Sequence, residues 1–266
     1  MILLTFNIVN IEAGCKNGSE VSDSERLKIS EENTRAILRI LDIHDIKATF
    51  FIEISLVEKL QNLLKAISFQ GHEIAFYNQN SETDEIENTK KITQDFLEKQ
   101  IKGIRQKDNK ISSQILKLME FSYISNIDNA NILFPFKRLK RDTEIIEEDG
   151  LSIVPESISP YSQLPYNDFV FQILPMKYYQ NMVFETLKND DFVLIYLNSW
   201  QFTDFARYHF DVPFYRRLNS GKKMEDKLDA LLSWINEKEM ATSRMNSKTL
   251  IQTAFFSIQW TDQMKS

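Results

Sequence analysis

The side chains able to transfer protons or hold a metal ion are few and scattered along this chain. The three histidines are His44, His72 and His209, and the single cysteine, Cys15, excludes an intrachain disulfide. Glu73 follows His72 directly, but a hydrogen-bonded structural histidine beside a packing or capping glutamate is the simplest interpretation of that pair. The spacing of these residues by itself therefore assigns them no chemistry.

The composition indicates one globular domain over residues 1–266. With 42% apolar and 12% aromatic residues, the chain can bury a sizeable core. Its six glycines and six prolines do not cluster into a linker.

The charge and the hydropathy pattern exclude several classes of partner. A formal net charge of −6 argues against nucleic acid and anionic membranes, which select basic surfaces. No run approaches the ~20 apolar residues of a membrane span. The first residues lack a basic start followed by an apolar stretch, so we expect a cytoplasmic protein.

Apolar runs alternate with helical periodicity along most of the chain. Residues 14–30 are predicted as a loop, and Ser30 is a candidate N-cap of the first helix. Further helices are predicted over 55–69, 82–99, 112–121, 178–188 and 223–236. Strands are predicted over 2–9, 46–52, 72–77, 101–105, 122–127, 132–136, 151–154, 169–174 and 192–197. About seven strand–helix steps are typical of an α/β barrel, with its chemistry at the carboxyl ends of the strands.

Five segments in order resemble the polysaccharide deacetylases, the nodulation-type deacetylases of carbohydrate esterase family four. The most characteristic is Lys47-Ala48-Thr49-Phe50-Phe51 in the second strand. The other four run from Leu4 to Asn7, from Gly71 to Ala75, from Lys102 to Arg105, and from Leu194 to Phe202. The resemblance implies a distorted (β/α)7 barrel with zinc held by a carboxylate and two histidines. It also implies an aspartate as general base and a late histidine as general acid.

At the positions that match those motifs, this sequence has residues that cannot perform their chemistry. The base position falls on Asn7 and the late histidine on Asn198. The metal carboxylate falls on Asn10, or on Ile8 in an alternative register, and the two histidines on Tyr77 and Ser81. An amide is a weak neutral ligand and no base near pH 7. We therefore expect no catalytic residue, no metal and no cofactor.

Two hypotheses remain open for the replaced site. In one, the amides hydrogen-bond each other after the activity was lost. In the other, they line a sugar-binding cleft whose ligand contacts Asn10, Tyr77, Arg105 and Trp200. Arg105 keeps its position in the motif, and it is interpreted either as part of an ion pair, for instance with Glu12, or as a contact for an anionic ligand.

Three functions follow. The leading hypothesis is an inactive deacetylase-like protein that binds a glycan or nucleotide sugar, or serves as a partner subunit, in surface-polysaccharide metabolism. The first alternative is an active carbohydrate N- or O-deacetylase with a relocated site built from Glu12, His72, Glu73 and Glu82. The second alternative is a scaffold that forms homo-oligomers or binds another protein.

Overall fold

The computed structural model describes residues 1–10, 14–15, 22–106, 111–126, 144–208 and 210–247. The strands are β1 (Ile2–Ile8), β2 (Gly14–Cys15), β3 (Thr49–Glu53), β4 (Glu73–Asn78), β5 (Gly103–Gln106), β6 (Tyr123–Asn126), β7 (Ile146–Glu148), β8 (Leu151–Val154), β9 (Val193–Asn198), β10 (Phe210–Asp211) and β11 (Thr242–Ser243). The helices are α1 (Asp23–Ile43), α2 (Gln61–Phe69), α3 (Thr83–Leu97), α4 (Ser113–Leu118), α5 (Asp168–Ile173), α6 (Met176–Asn189), α7 (Phe214–Arg217) and α8 (Lys222–Glu237).

A curled, mostly parallel sheet organises the fold. Its path is β11-β1-β3-β4-β5-β6-β8-β7, with β9 also paired to β1 and only β7 antiparallel. Within the residues above, no strand pairing joins β8 to β9. Individual hydrogen bonds bridge that seam instead, from the Leu194 N–H to Ser157 Oγ (2.8 Å) and from the Tyr196 N–H to the Tyr166 carbonyl (3.1 Å). The result is the half-barrel form of the predicted (β/α) architecture.

Alternation along the strands separates two faces of the sheet. In β1, Leu4 and Phe6 face the helices and belong to the main apolar core. Leu3 faces the barrel interior and packs in a second cluster with Phe51 and Tyr123. The interior is narrow, because a Cβ added at Gly103 would overlap the Tyr123 ring.

Two sequence predictions were wrong. Helix α1 begins at Asp23 rather than after Ser30, because the Ser22 hydroxyl caps it by accepting from the Glu25 N–H (3.3 Å). The predicted strand 169–174 is helix α5, whose N-cap Asn167 accepts from the Val170 N–H (2.9 Å). A six-residue apolar run cannot be assigned by periodicity alone.

Other expectations have definite outcomes. Gly71 ends the α2 segment with a φ of 83°, as predicted. The predicted strand 132–136 lies outside the described residues. No helix in the described part of the chain is long and apolar enough to cross a membrane.

Candidate functional site

Asn7 and Asn198 lie side by side at the carboxyl ends of β1 and β9. The parallel register pairs these two residues, and both side chains point into the barrel. The Asn7 Nδ2 donates to Asn198 Oδ1 at 2.9 Å. The two positions that the resemblance assigns to base and acid are thus joined by an amide–amide hydrogen bond.

Arg105 lies beneath this pair and is completely buried. Its Nη1 donates to Asn7 Oδ1 (2.7 Å), and its Nη2 donates to the hydroxyls of Thr5 (3.1 Å) and Ser125 (3.0 Å). The guanidinium carbon stands 3.8 Å from the centre of the Phe51 ring. All these contacts are to neutral groups, and burial lowers the Arg105 pKa to about 10. Glu12, the predicted ion-pair partner, lies outside the described residues.

Asp168 completes the site and was missed in the sequence. The Asn198 Nδ2 donates to Asp168 Oδ2 at 2.6 Å. Burial raises the pKa of this carboxyl, although hydrogen bonds from the Phe169 backbone and from Asn198, and the charge of Arg216, oppose the rise. Asn167 followed by Asp168 is typical of a helix N-terminus, and this signal could have revealed α5.

Gln201 holds this arrangement from the short helical turn after β9. Its side chain accepts from the Asn198 N–H (3.0 Å) and donates to the Asp168 carbonyl (2.9 Å). It also donates to Gln172 Oε1 (3.1 Å). Gln201 therefore fixes Asn198 and Asp168 relative to each other.

Arg105, Asn7, Asn198 and Asp168 form a chain that we call the amide relay. Every side-chain donor in it points from the cation towards the carboxylate. With a guanidinium at one end and a carboxylate at the other, only one orientation of each amide satisfies all three hydrogen bonds. The relay is therefore electrostatically ordered, although its two central groups are neutral.

The residues at the predicted metal positions lie at the same end of the sheet. Asn10 is half-buried and its N–H donates to Glu53 Oε2 (3.1 Å). Tyr77 is half-buried in β4 and packs on the interior cluster. The Ser81 N–H donates to Asn78 Oδ1 (2.8 Å), which makes a tight turn. Ile8, the alternative to Asn10, packs in the main core on the helix side.

This donor set does not fit zinc. One amide and two neutral hydroxyl side chains replace the carboxylate and imidazole groups that zinc prefers. Among the described residues, no three histidine, cysteine, aspartate or glutamate side chains lie close enough together to hold a metal ion.

Four aromatic side chains lie on α5, on α7 and in the turn after β9, and we call Phe169, Trp200, Phe214 and Tyr215 the aromatic rim. Phe169 and Tyr215 pack edge to face with ring centres 6.2 Å apart. Tyr215 is 54% exposed and Phe214 is 73% exposed. Trp200 is half-buried in a cluster with Phe210 and Val212, away from the cluster that contains Tyr77.

The residues of the predicted relocated site do not come together. His72 accepts from the Ala48 N–H at 3.1 Å, and burial lowers its pKa to about 4, as expected of a structural histidine. Glu73 begins β4, at the lower end of the barrel. Glu82 follows the opposite end of β4, and Glu12 is outside the described residues.

Glu73 is the acceptor of a second polar group, the lower cluster of Thr49, Glu73, Tyr123 and Asn246. Its carboxylate accepts from the Thr49 hydroxyl (2.7 Å), the Tyr123 hydroxyl (2.8 Å) and the Asn246 N–H (3.0 Å). Burial nevertheless raises the pKa of Glu73. These contacts explain Glu73 as a structural residue.

The family model described as Polysaccharide deacetylase matches residues 2–130, a segment that contains β1 and β3 to β6. The matched segment is just under half of the chain. No curated protein matches its sequence.

Solved structures share the fold of this chain at low sequence identity. The pseudoenzyme BA3943 of carbohydrate esterase family four (CE4), from Bacillus anthracis, is 12% identical, with a TM-score of 0.50 over 94% of this chain and 65% of its own. PuuE allantoinase is 13% identical, with a TM-score of 0.59 over 93% and 88% of the two chains. A Mycobacterium smegmatis protein described as a polysaccharide deacetylase is 12% identical, with a TM-score of 0.58 over 95% and 90%. These similarities show the deacetylase-type barrel.

Proposed function

We propose that this deacetylase-like protein binds a glycan without hydrolysing it, in surface-polysaccharide metabolism. The observation that carries the proposal is the 2.9 Å hydrogen bond between Asn7 and Asn198. A carboxamide neither accepts nor releases a proton near neutral pH, so this pair cannot provide general acid–base catalysis. The neutral donor set at Asn10, Tyr77 and Ser81 likewise supports a protein without a catalytic metal.

The same end of the barrel has the chemistry of a sugar site. Amides and hydroxyls pair well with sugar hydroxyls, and exposed aromatic rings stack on the apolar face of a pyranose. We propose that the ligand contacts Asn10, Tyr77, Asn198 and Trp200, with Tyr215 at the edge. Arg105 is fully buried, so its part in binding is to hold Asn7 rather than to touch the ligand.

Binding and turnover can be measured on the same acetylated chitooligosaccharide. With zinc, cobalt or nickel supplied, we expect saturable binding by calorimetry and no acetate release. Tyr215→Ala should weaken binding about fivefold, since an aromatic contact is worth about 1 kcal/mol. Phe69→Ala is the matched control, because Phe69 is 92% exposed at the end of α2, close to the amino end of β4.

The other outcomes identify the alternatives. Metal-dependent acetate release would refute the proposal, and its loss in Asp168→Asn would support an active deacetylase with a non-standard site. A stable oligomer with neither binding nor acetate release would support the scaffold hypothesis.

We expect that a single substitution towards the family's motif does not give this chain deacetylase activity. A mutant of BA3943 is described as a CE4 family pseudoenzyme with restored enzymatic activity. In this chain we expect Asn198→His alone to release no acetate, because position 7 and the three donor positions remain neutral. Acetate release by that variant would contradict the assignment of the early positions.

A further inference from the structure

The amide relay has opposite charges at its two ends, and the residue at the negative end is half-buried whereas the one at the positive end is fully buried. Arg105 is 0% exposed, whereas Asp168 is partly exposed at the mouth of the barrel. The two asparagines between them are aligned, each donating towards Asp168. A ligand at the mouth therefore meets a carboxylate and cannot reach the guanidinium.

We propose that this mouth selects sugars with a free, protonated amine over N-acetylated and phosphorylated sugars, and that Asp168 is the selecting residue. The inference rests on the proposed glycan binding and specifies its ligand class. A carboxylate only accepts hydrogen bonds, so it pairs best with a group that donates them and carries positive charge. An ammonium on a hexosamine has both properties, whereas an acetamide is neutral.

Among the described residues, phosphorylated sugars meet no buried, unoccupied cation in this mouth. Arg105 would be the natural partner of a phosphate, but its donors are taken by Thr5, Asn7 and Ser125. Arg216 is the exposed cation near Asp168, and its guanidinium lies 5.7 Å from the centre of the Trp200 ring. Because Arg216 faces solvent, its charge is screened and attracts an anion only weakly.

The aromatic rim is an independent observation that points to the same ligand. Phe169 follows Asp168 directly, and the exposed Tyr215 ring packs against it. Aromatic faces attract cations as well as the C–H face of a sugar ring. An aromatic ring and a carboxylate on the same short helix provide the two kinds of group that an amine carried on a pyranose would contact.

The test compares three probes on the wild-type chain by calorimetry, at a pH where the sugar amine is protonated. They are the tetramer of glucosamine, the tetramer of N-acetylglucosamine, and uridine diphosphate N-acetylglucosamine. We expect the amine tetramer to bind about tenfold more tightly than the acetylated one, the ratio that a charge-assisted hydrogen bond of ~1.4 kcal/mol gives. The nucleotide sugar should show no binding.

Variants and a competitor separate selection by Asp168 from general attraction to an acidic protein. Asp168→Asn should remove the preference, so that both tetramers bind equally, with its fold checked by circular dichroism. Asp95→Asn deletes an exposed carboxylate on α3 and should keep the preference. Tetralysine should not displace the glucosamine tetramer, and displacement would overturn the inference.

Failure of this inference differs from failure of the proposed function. Equal or tighter binding of the acetylated tetramer by wild type overturns the selection and leaves glycan binding intact. Tight binding of the nucleotide sugar also overturns the selection. Absence of binding by both tetramers overturns the proposed function, and the inference with it.

Discussion

The lower cluster and the amide relay lie at opposite ends of the same half-barrel. Each contains a buried charge, but the charge is hydrogen-bonded differently in the two. In the lower cluster, a single carboxylate, Glu73, receives three donors and every partner is a neighbour. In the amide relay, the Arg105 guanidinium bonds only neutral oxygens, and the nearest anion in the chain of hydrogen bonds is two amides away.

The difference distinguishes a polar cluster whose charge is directly partnered from one that lies at the positions the resemblance assigns to catalysis. A buried charge is well tolerated when its hydrogen bonds are complete, and it is costly when a partner is missing. Segment 242–247 closes the lower end, where Asn246 donates to Glu73 and the Met245 N–H to Thr49 Oγ1. At the upper end Asp168 is half-buried, and it is the residue that we propose contacts a ligand.

Deleting the central acceptor of the lower cluster should have the largest effect. Glu73→Ala leaves the Thr49 and Tyr123 hydroxyls and the Asn246 N–H without their acceptor. We expect the free energy of unfolding to fall by about 3 kcal/mol in urea denaturation. Glu85→Ala, an exposed change in α3, should stay within about 0.5 kcal/mol of wild type. A loss below about 1 kcal/mol for Glu73→Ala would mean that the cluster is not structural.

A pH titration of stability tests the same end of the barrel. The His72 pKa falls from 6.5 to about 4 on folding because burial disfavours its charged form. Between these values His72 binds more protons in the unfolded chain, so its contribution to stability is complete above pH 6.5 and declines as the pH falls to 4, whereas the raised pKa values of Glu73 and Asp168 act in the opposite direction. The shift corresponds to about 3 kcal/mol. Chemical denaturation at a series of pH values should show this slope in wild type.

The glutamine variant isolates the contribution of His72. His72→Gln can still accept from the Ala48 N–H but has no charge to gain, so it should lose that slope. His44→Gln, at the other hydrogen-bonded histidine, is the matched change and should retain it. An unchanged slope in His72→Gln would place the titrating group elsewhere.

At the upper end, adding an anion should stabilise the protein. Asn7→Asp places a carboxylate where Asn7 Oδ1 now accepts from Arg105 at 2.7 Å. We expect a gain of no more than about 1 kcal/mol in the free energy of unfolding, because the charge-assisted bond from Arg105 is offset by the loss of the Asn7 Nδ2 donor to Asn198 Oδ1. Asn62→Asp, on the exposed side of α2, should have little effect. A destabilised Asn7→Asp would show that Arg105 does not need an anion, and the contrast with the lower cluster would disappear.

The smallest expected effect is that of metal. A ligand that binds only the folded state raises the melting temperature progressively as its concentration exceeds its Kd. Because the donors at Asn10, Tyr77 and Ser81 are neutral, neither zinc nor a chelator should shift the melting temperature measurably. A rise that depends on zinc concentration would mean that other side chains form a metal site.

The sequence predicts the strands of this fold better than it predicts which side chains hydrogen-bond inside the barrel. β1, β4 and β9 are apolar runs with clear boundaries, so local pattern was sufficient for them. Asn7, Arg105 and Asn198 were found because motifs mark their positions. Asp168 belongs to no recognised motif and reaches Asn198 only through the packing of α5 against β9, so it became apparent only in the structure.

The absent side chain at Gly103 has a consequence for mutational tolerance. The Tyr123 side chain on β6 passes over Gly103 on the neighbouring β5 and reaches Glu73 on β4 through the space that a Cβ at Gly103 would fill. In a library of all single substitutions, we therefore expect every replacement of Gly103 to destabilise the protein. Position 103 would then tolerate substitution as poorly as a catalytic position. If the tolerance to substitution were plotted for every position, the lower end of this protein would therefore look like an active site. The intolerance at Gly103 would have a steric cause, because the Tyr123 ring occupies the space beside it.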